Sequence, residues 1–126
     1  MIYCIPTDTC HGLACHFSDE QGYHDIYSVK GRSFRKPLAF AIETFDEIGK
    51  YAELTDGQIE FLRAYPHPFT VLAPPLPGTL PVFLDSEMYR FVGLRIGERC
   101  LRPEVRRCMP FPLFLTSANL RSESVV

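Results

Sequence analysis

The chain has 126 residues, 46% of them apolar, and a formal net charge of −2. That length supports one core and excludes a pair of full domains, and the apolar content excludes a disordered chain. The near-neutral balance excludes polyanion binding by general attraction, so a phosphate ligand has to be held by a local group of cations.

The elements follow in chain order. Residues 2–5 (IYCI) read as a short buried strand stopped by Pro6. Residues 19–30 read as a helix, because Tyr23, Ile26, Tyr27 and Lys30 fall at i, i+3, i+4 and i+7. Gly31 suits the position just past its end, where a left-handed backbone costs glycine little. Residues 37–42 (PLAFAI) read as a strand with Pro37 at its first position, where no ladder donor is missed. Thr44 or Asp46 starts a short helix to Ala52, and Thr55 caps another running to Tyr65. Residues 69–73 (FTVLA) are a central strand, followed by a Pro/Gly-rich loop over residues 74–81. Residues 91–96 form a further strand, residues 103–109 a short helix with a basic face, and residues 113–116 a last strand delivering Ser117 to its carboxyl end. Strands and helices mixed in one small domain, spanning residues 1–126, predict an α/β fold: an open twisted mixed sheet with helices packed on it. Ligands of such sheets sit outside strand ends, where the polar segments of this chain fall.

Those polar segments carry the chemistry. Lys30 and Arg32 flank Gly31, which permits the turn that lets a compact charge and a planar fork converge. Thr7, Thr9, Ser117 and Asn119 supply groups that orient a phosphate or a small polar substrate. Asp8 can help hold Mg²⁺ carried by a triphosphate. Arg95 lies among the later cations Arg99, Arg102, Arg106 and Arg107. For any single one of these cations, a solvated surface position is the plainer reading. The Walker Gly-Lys-Ser/Thr loop and GxGxxG are both missing, so the site is neither a P-loop nor a Rossmann site. The run CHGLACH (residues 10–16) lacks the spacing of a zinc knuckle, and Cys10 and Cys15 read as buried apolar fillers, so no protein metal site is expected. Five cysteines rule out a complete disulfide framework, and no apolar run approaches the ~20 residues of a membrane span. A cytoplasmic location without membrane partners is expected.

Taken in order, the motifs resemble the Sua5/YciO/YrdC family, the threonylcarbamoyl-AMP synthases of tRNA modification. IPTDTCHGLAC (5–15) is similar to P-T-D-T-x-Y-G-L, and IYSVKGRSFRKPLAF (26–40) to I-x-x-x-K-x-R-x-x-x-K-P-L. YPHPFTVL (65–72) resembles W-P-G-P-x-T, VGLRI (92–96) the segment bearing an arginine, and LTSANL (115–120) the S-x-N motif. The resemblance implies a nucleotidyltransferase that joins L-threonine, bicarbonate and ATP, giving L-threonylcarbamoyl-AMP and pyrophosphate for N6-threonylcarbamoyladenosine in tRNA. It implies Lys30 and Arg32 as the catalytic pair on the triphosphate. It implies Thr7, Asp8, Thr9, His11, Arg95, Ser117 and Asn119 as substrate and nucleotide contacts. ATP enters with Mg²⁺ as a substrate complex, without a tightly bound cofactor. The implied partners are tRNA or other RNA and proteins of the same modification pathway.

The chain also differs from the family pattern. His11 stands in place of tyrosine, Tyr65 in place of tryptophan and His67 in place of glycine. Arg121-Ser122 stands where Ser-Gly follows S-x-N, and both ends read as shortened. Two alternatives accompany the synthase reading: a non-catalytic nucleotide- or RNA-binding module, and a carbamoyl-adenylate-forming carbamoyltransferase domain.

Overall fold

A computed structural model describes residues 1–8, 10–31 and 36–117. Among them, six strands form one open mixed sheet in the order β1-β2-β6-β3-β5-β4. They are β1 (Tyr3–Pro6), β2 (His11–His16), β3 (Ala39–Ile42), β4 (Val71–Ala73), β5 (Val92–Ile96) and β6 (Leu113–Ser117). β1 and β2 are an antiparallel hairpin, and β6 is antiparallel to both β2 and β3. β3 and β5 run parallel, which requires a long crossover between them. That crossover holds a 3-10 turn (Phe45–Glu47), α2 (Ile48–Tyr51), α3 (Asp56–Ala64) and the antiparallel edge strand β4. The expected mixed α/β sheet is therefore the observed one.

The helices begin and end where local chemistry dictates. In α1 (Glu20–Lys30), the Asp19 carboxylate accepts from the Gly22 N–H at 2.9 Å, and Gly31 closes the helix at φ 61°. In α3, Thr55 and Gln58 satisfy each other's backbone N–H groups in a capping box. Two short helices, α4 (Gly97–Cys100) and α5 (Pro103–Cys108), follow β5 directly.

Alternation along the strands divides the core into two faces. One is aromatic: Phe17, Tyr23, Tyr27, Phe40, Tyr89 and Phe114 pack with Ile26 of α1. Its hydroxyls are satisfied internally. Tyr89 Oη bonds Tyr23 Oη at 2.9 Å and accepts from the Leu38 N–H at 3.0 Å, while Tyr27 Oη donates to the Lys36 carbonyl at 2.5 Å. The other face holds Ile5, Ala14, Ala41, Leu113 and Leu115, with Cys100 and Leu101 packed on it. The candidate site lies on this second face, where its side chains are smallest.

Several boundaries differ from the sequence expectation. The first strand runs through Pro6, which an edge strand tolerates, and Pro37 precedes its strand. The strand expected over residues 69–73 is not central: it is the edge strand β4, paired only with β5 and only at Val71–Ala73. β2 and α4 were not expected at all. Gly12, Ala14 and Cys15 offer little polar alternation, because β2 lies inside the sheet and is covered on both sides.

Candidate functional site

Strand register builds the floor of a cavity of about 280 Å³. Gly12 of β2 lies opposite Ser117 of β6, and Leu115 of β6 lies opposite Ala39 of β3. All four line the cavity, together with Thr7, Cys10, Pro37, Arg95 and Thr116. Small residues at positions 12 and 39 leave the space open. A Cβ on Gly12 would meet Leu115 Cδ1 at 2.8 Å and the Thr116 carbonyl oxygen at 3.2 Å.

The β1–β2 connection forms one wall. Thr7 Oγ1 donates to the Cys10 carbonyl at 2.6 Å, and the Thr7 N–H donates to the same oxygen at 2.9 Å. This tight turn fixes the Thr7 hydroxyl at the cavity wall.

Lys30 approaches from the other face of the sheet. At the last turn of α1 it is only 5% exposed. Its Nζ donates to the Ser117 carbonyl at 2.9 Å, to Thr116 Oγ1 at 3.2 Å and to Ser117 Oγ at 3.3 Å. An ammonium from the amino-terminal part of the chain thus holds the carboxyl end of the last described strand, 87 residues away. Burial of a charge at this depth is tolerable because three oxygens receive it.

Arg95 of β5 crosses the small side chains of β3 and meets the β1–β2 turn. Its Nη2 donates to Asp8 Oδ1 at 2.5 Å, with the Arg95 and Asp8 side chains 15% and 21% exposed. Arg95 Nε is buried with no hydrogen-bond partner among the described residues. Beneath the pair, the Cys100 thiol is pushed up chiefly by burial; Arg95 opposes that rise and Asp8 adds to it.

The structure therefore brings Thr7, Asp8, Lys30, Arg95 and Ser117 to one region. His11 opens β2 opposite Pro6 and is exposed, outside the cavity lining. Thr9, Arg32 and Asn119 lie outside the described residues. Cys10 is half-buried at the cavity, whereas Cys15 is buried as expected. Cys108 is exposed, and all five cysteines are free. Among the described residues no cluster of three or more His, Cys, Asp or Glu could hold a metal ion. Sequence reasoning missed the apolar part of the lining, namely Gly12, Pro37, Ala39 and Leu115.

Fold and cavity together define an open α/β sheet protein with a polar cleft at strand ends, furnished with hydroxyls and a guanidinium. Comparison with known proteins makes the assignment specific. The sequence model of the Sua5/YciO/YrdC family, described as "Telomere recombination", matches residues 1–126. The chain belongs to this family. It is 31% identical over 124 residues to the threonylcarbamoyl-AMP synthase of Mus musculus, covering 98% of this chain and 43% of that protein. It therefore spans less than half the length of that relative. The fold matches P. abyssi Sua5 complexed with L-threonine at a TM-score of 0.75 and 23% identity, over 98% of this chain and 36% of that one. It also matches full-length HypF in its phosphate- and nucleotide-bound form at a TM-score of 0.77 and 20% identity, over 98% of this chain and 19% of that one. Membership in the family supports a nucleotide-binding, transferase-type function. Among the described residues no helix is long and apolar enough to cross a membrane.

Proposed function

We propose that the cavity binds ATP with its Mg²⁺ and that the chain makes L-threonylcarbamoyl-AMP and pyrophosphate from L-threonine, bicarbonate and ATP. One observation carries the reading. Thr7, Arg95 and Ser117 come from three distant segments and line one cleft, and Lys30 is bonded to its Ser117 end. This donor set suits phosphate oxygens: a guanidinium in the lining and an ammonium at its edge for charge, and two hydroxyls for orientation. Magnesium arrives on the nucleotide, with Asp8 as the nearby carboxylate able to receive it.

In this reading the threonine amine and bicarbonate condense to a carbamate with loss of water. A carbamate oxygen then attacks the α-phosphorus, and the bond to the β-phosphate breaks with its electron pair leaving on pyrophosphate. The protein's part is to hold the reactants in line and stabilise charge on the leaving group. Lys30 and Arg32 are assigned to the triphosphate, Arg95 to an anionic oxygen at the cavity wall, and Thr7, Thr9, Ser117 and Asn119 to orientation. His11, exposed and outside the cavity lining, is assigned to a substrate contact beyond the cavity floor. The proposal extends to use of the product in N6-threonylcarbamoyladenosine formation on tRNA, with pathway proteins in the cytoplasm, as the family resemblance implies; the mouse relative is named a threonylcarbamoyl-AMP synthase.

A second reading, nucleotide binding without turnover, is favoured by one feature: the two cations at the cleft are already engaged, Lys30 by β6 and Arg95 by Asp8. Labelled bicarbonate separates the two. The synthase reading requires ATP- and threonine-dependent transfer of the label into an adenylate. Nucleotide binding with no label in any adenylate rejects it in favour of the binding module.

A further inference from the structure

The following inference rests on the nucleotide reading above and concerns how the cavity chooses among anions. Among the described residues, Arg95 is the only charged side chain in the cavity lining. Its charge is not fully available to a ligand. Asp8 sits on the Nη2 edge of the guanidinium at 2.5 Å, 87 residues distant in sequence. The pair joins two walls of the cavity, the β1–β2 turn and β5, across the intervening strands.

Two consequences follow. A polyphosphate that reaches Arg95 comes within a guanidinium's width of the Asp8 carboxylate, and like charges at that separation repel. A polyphosphate carrying a divalent cation meets the same carboxylate with attraction. The position of the fork matters too. Held against Asp8, Arg95 leaves its Nε buried without an acceptor among the described residues. A donor in that state is costly, so the guanidinium gains a hydrogen bond when it turns this edge to a ligand oxygen.

We propose that Asp8, acting through Arg95, sets the cavity's preference for a magnesium-complexed polyphosphate over the metal-free polyanion. Asp8 is a specificity-determining residue in this account. Its carboxylate discounts Arg95 for naked polyanions and repays the discount only when a divalent cation accompanies the phosphates.

Calorimetric titration with tripolyphosphate, with and without Mg²⁺, tests the assignment. Asp8→Asn removes the charge but keeps an amide oxygen able to accept from Arg95. It should tighten metal-free binding roughly fivefold or more, the size of one like charge removed at about 4 Å even in water. The advantage conferred by Mg²⁺ should shrink by at least the same factor. Asp8→Glu, which keeps the charge, should retain the wild-type preference. Arg95→Gln should weaken both forms and abolish the response to Asp8→Asn in the double variant. A weaker metal-free affinity in Asp8→Asn, or an unchanged ratio between the two forms, overturns the proposal while leaving the nucleotide site intact. If neither wild type nor variant binds either form, the nucleotide reading itself fails and the proposal fails with it.

Discussion

Replacing Lys30 with methionine isolates the role of its ammonium, because the thioether keeps the buried stem and removes only the charge. Three oxygens lose their donor: the Ser117 carbonyl at 2.9 Å, Thr116 Oγ1 at 3.2 Å and Ser117 Oγ at 3.3 Å. The shortest is the strong one, and a hydrogen bond to a charged group contributes about 1.5–3 kcal/mol net. The two longer contacts share the same ammonium, and Thr116 and Ser117 are only partly buried, so water recovers some of the loss. Relief from burying a charge offsets a further part. The expected net cost is about 2 kcal/mol, or a fall of about 8 °C in Tm for a domain of this size. Urea and thermal unfolding measure it. Nucleotide affinity should fall at least about tenfold, equivalent to about 1.4 kcal/mol, since the end of β6 and its Ser117 lose their anchor. Lys30→Arg should not restore it, because a planar fork cannot replace a compact ammonium among three converging oxygens. An unfolding midpoint equal to that of the wild type, together with unchanged nucleotide binding, would refute this account of Lys30.

Three further outcomes follow from particular contacts. Gly12→Ala should cost about 1–3 kcal/mol in denaturant unfolding and impair ligand binding, because its Cβ would press on Leu115 and the Thr116 carbonyl at the cavity floor; a neutral effect on both would show that the floor yields. Tyr89→Phe should cost about 1–3 kcal/mol by leaving the buried Leu38 N–H without its acceptor. Burial raises the Tyr89 pKa, so its contribution is complete below the unfolded tyrosine value of about 10 and declines as pH rises beyond it; the wild type should lose stability more steeply than the variant above that pH. The Cys15 thiol is pushed up to about 12, mainly by burial, so at pH 8 it should resist alkylation while Cys4 and Cys108 react quickly. Peptide mapping of a timed alkylation reads this directly, and equal rates at Cys15 and Cys4 would contradict the packing.

Much of the fold was legible because its elements carry strong local signals. The α1 helix shows a 3.6-residue apolar period and a capping aspartate, and β3, β5 and β6 are short apolar runs bounded by turn residues. β2 was hidden for a physical reason. An interior strand is covered on both faces, so Gly12, Leu13, Ala14 and Cys15 show no polar alternation. α4 is a single turn after β5, too short for any period to register. At the site, the sequence supplied the polar residues Thr7, Asp8, Lys30, Arg95 and Ser117 but not their relationships. That Lys30 is tied to β6, and that Asp8 faces Arg95, depends on strand order and on the β1–β2 turn crossing the sheet face, neither of which a motif contains. The small residues that make the cavity were silent because their contribution is the volume they leave empty.

The central claim is that this chain couples ATP cleavage to threonine and bicarbonate. It is tested most directly by pyrophosphate release from ATP and Mg²⁺, measured with both co-substrates, with each alone and with neither. The account predicts release that requires threonine and bicarbonate together and is strongly reduced by Lys30→Ala. Release independent of both co-substrates, or nucleotide binding that depends on Lys30 with no release under any condition, would contradict it.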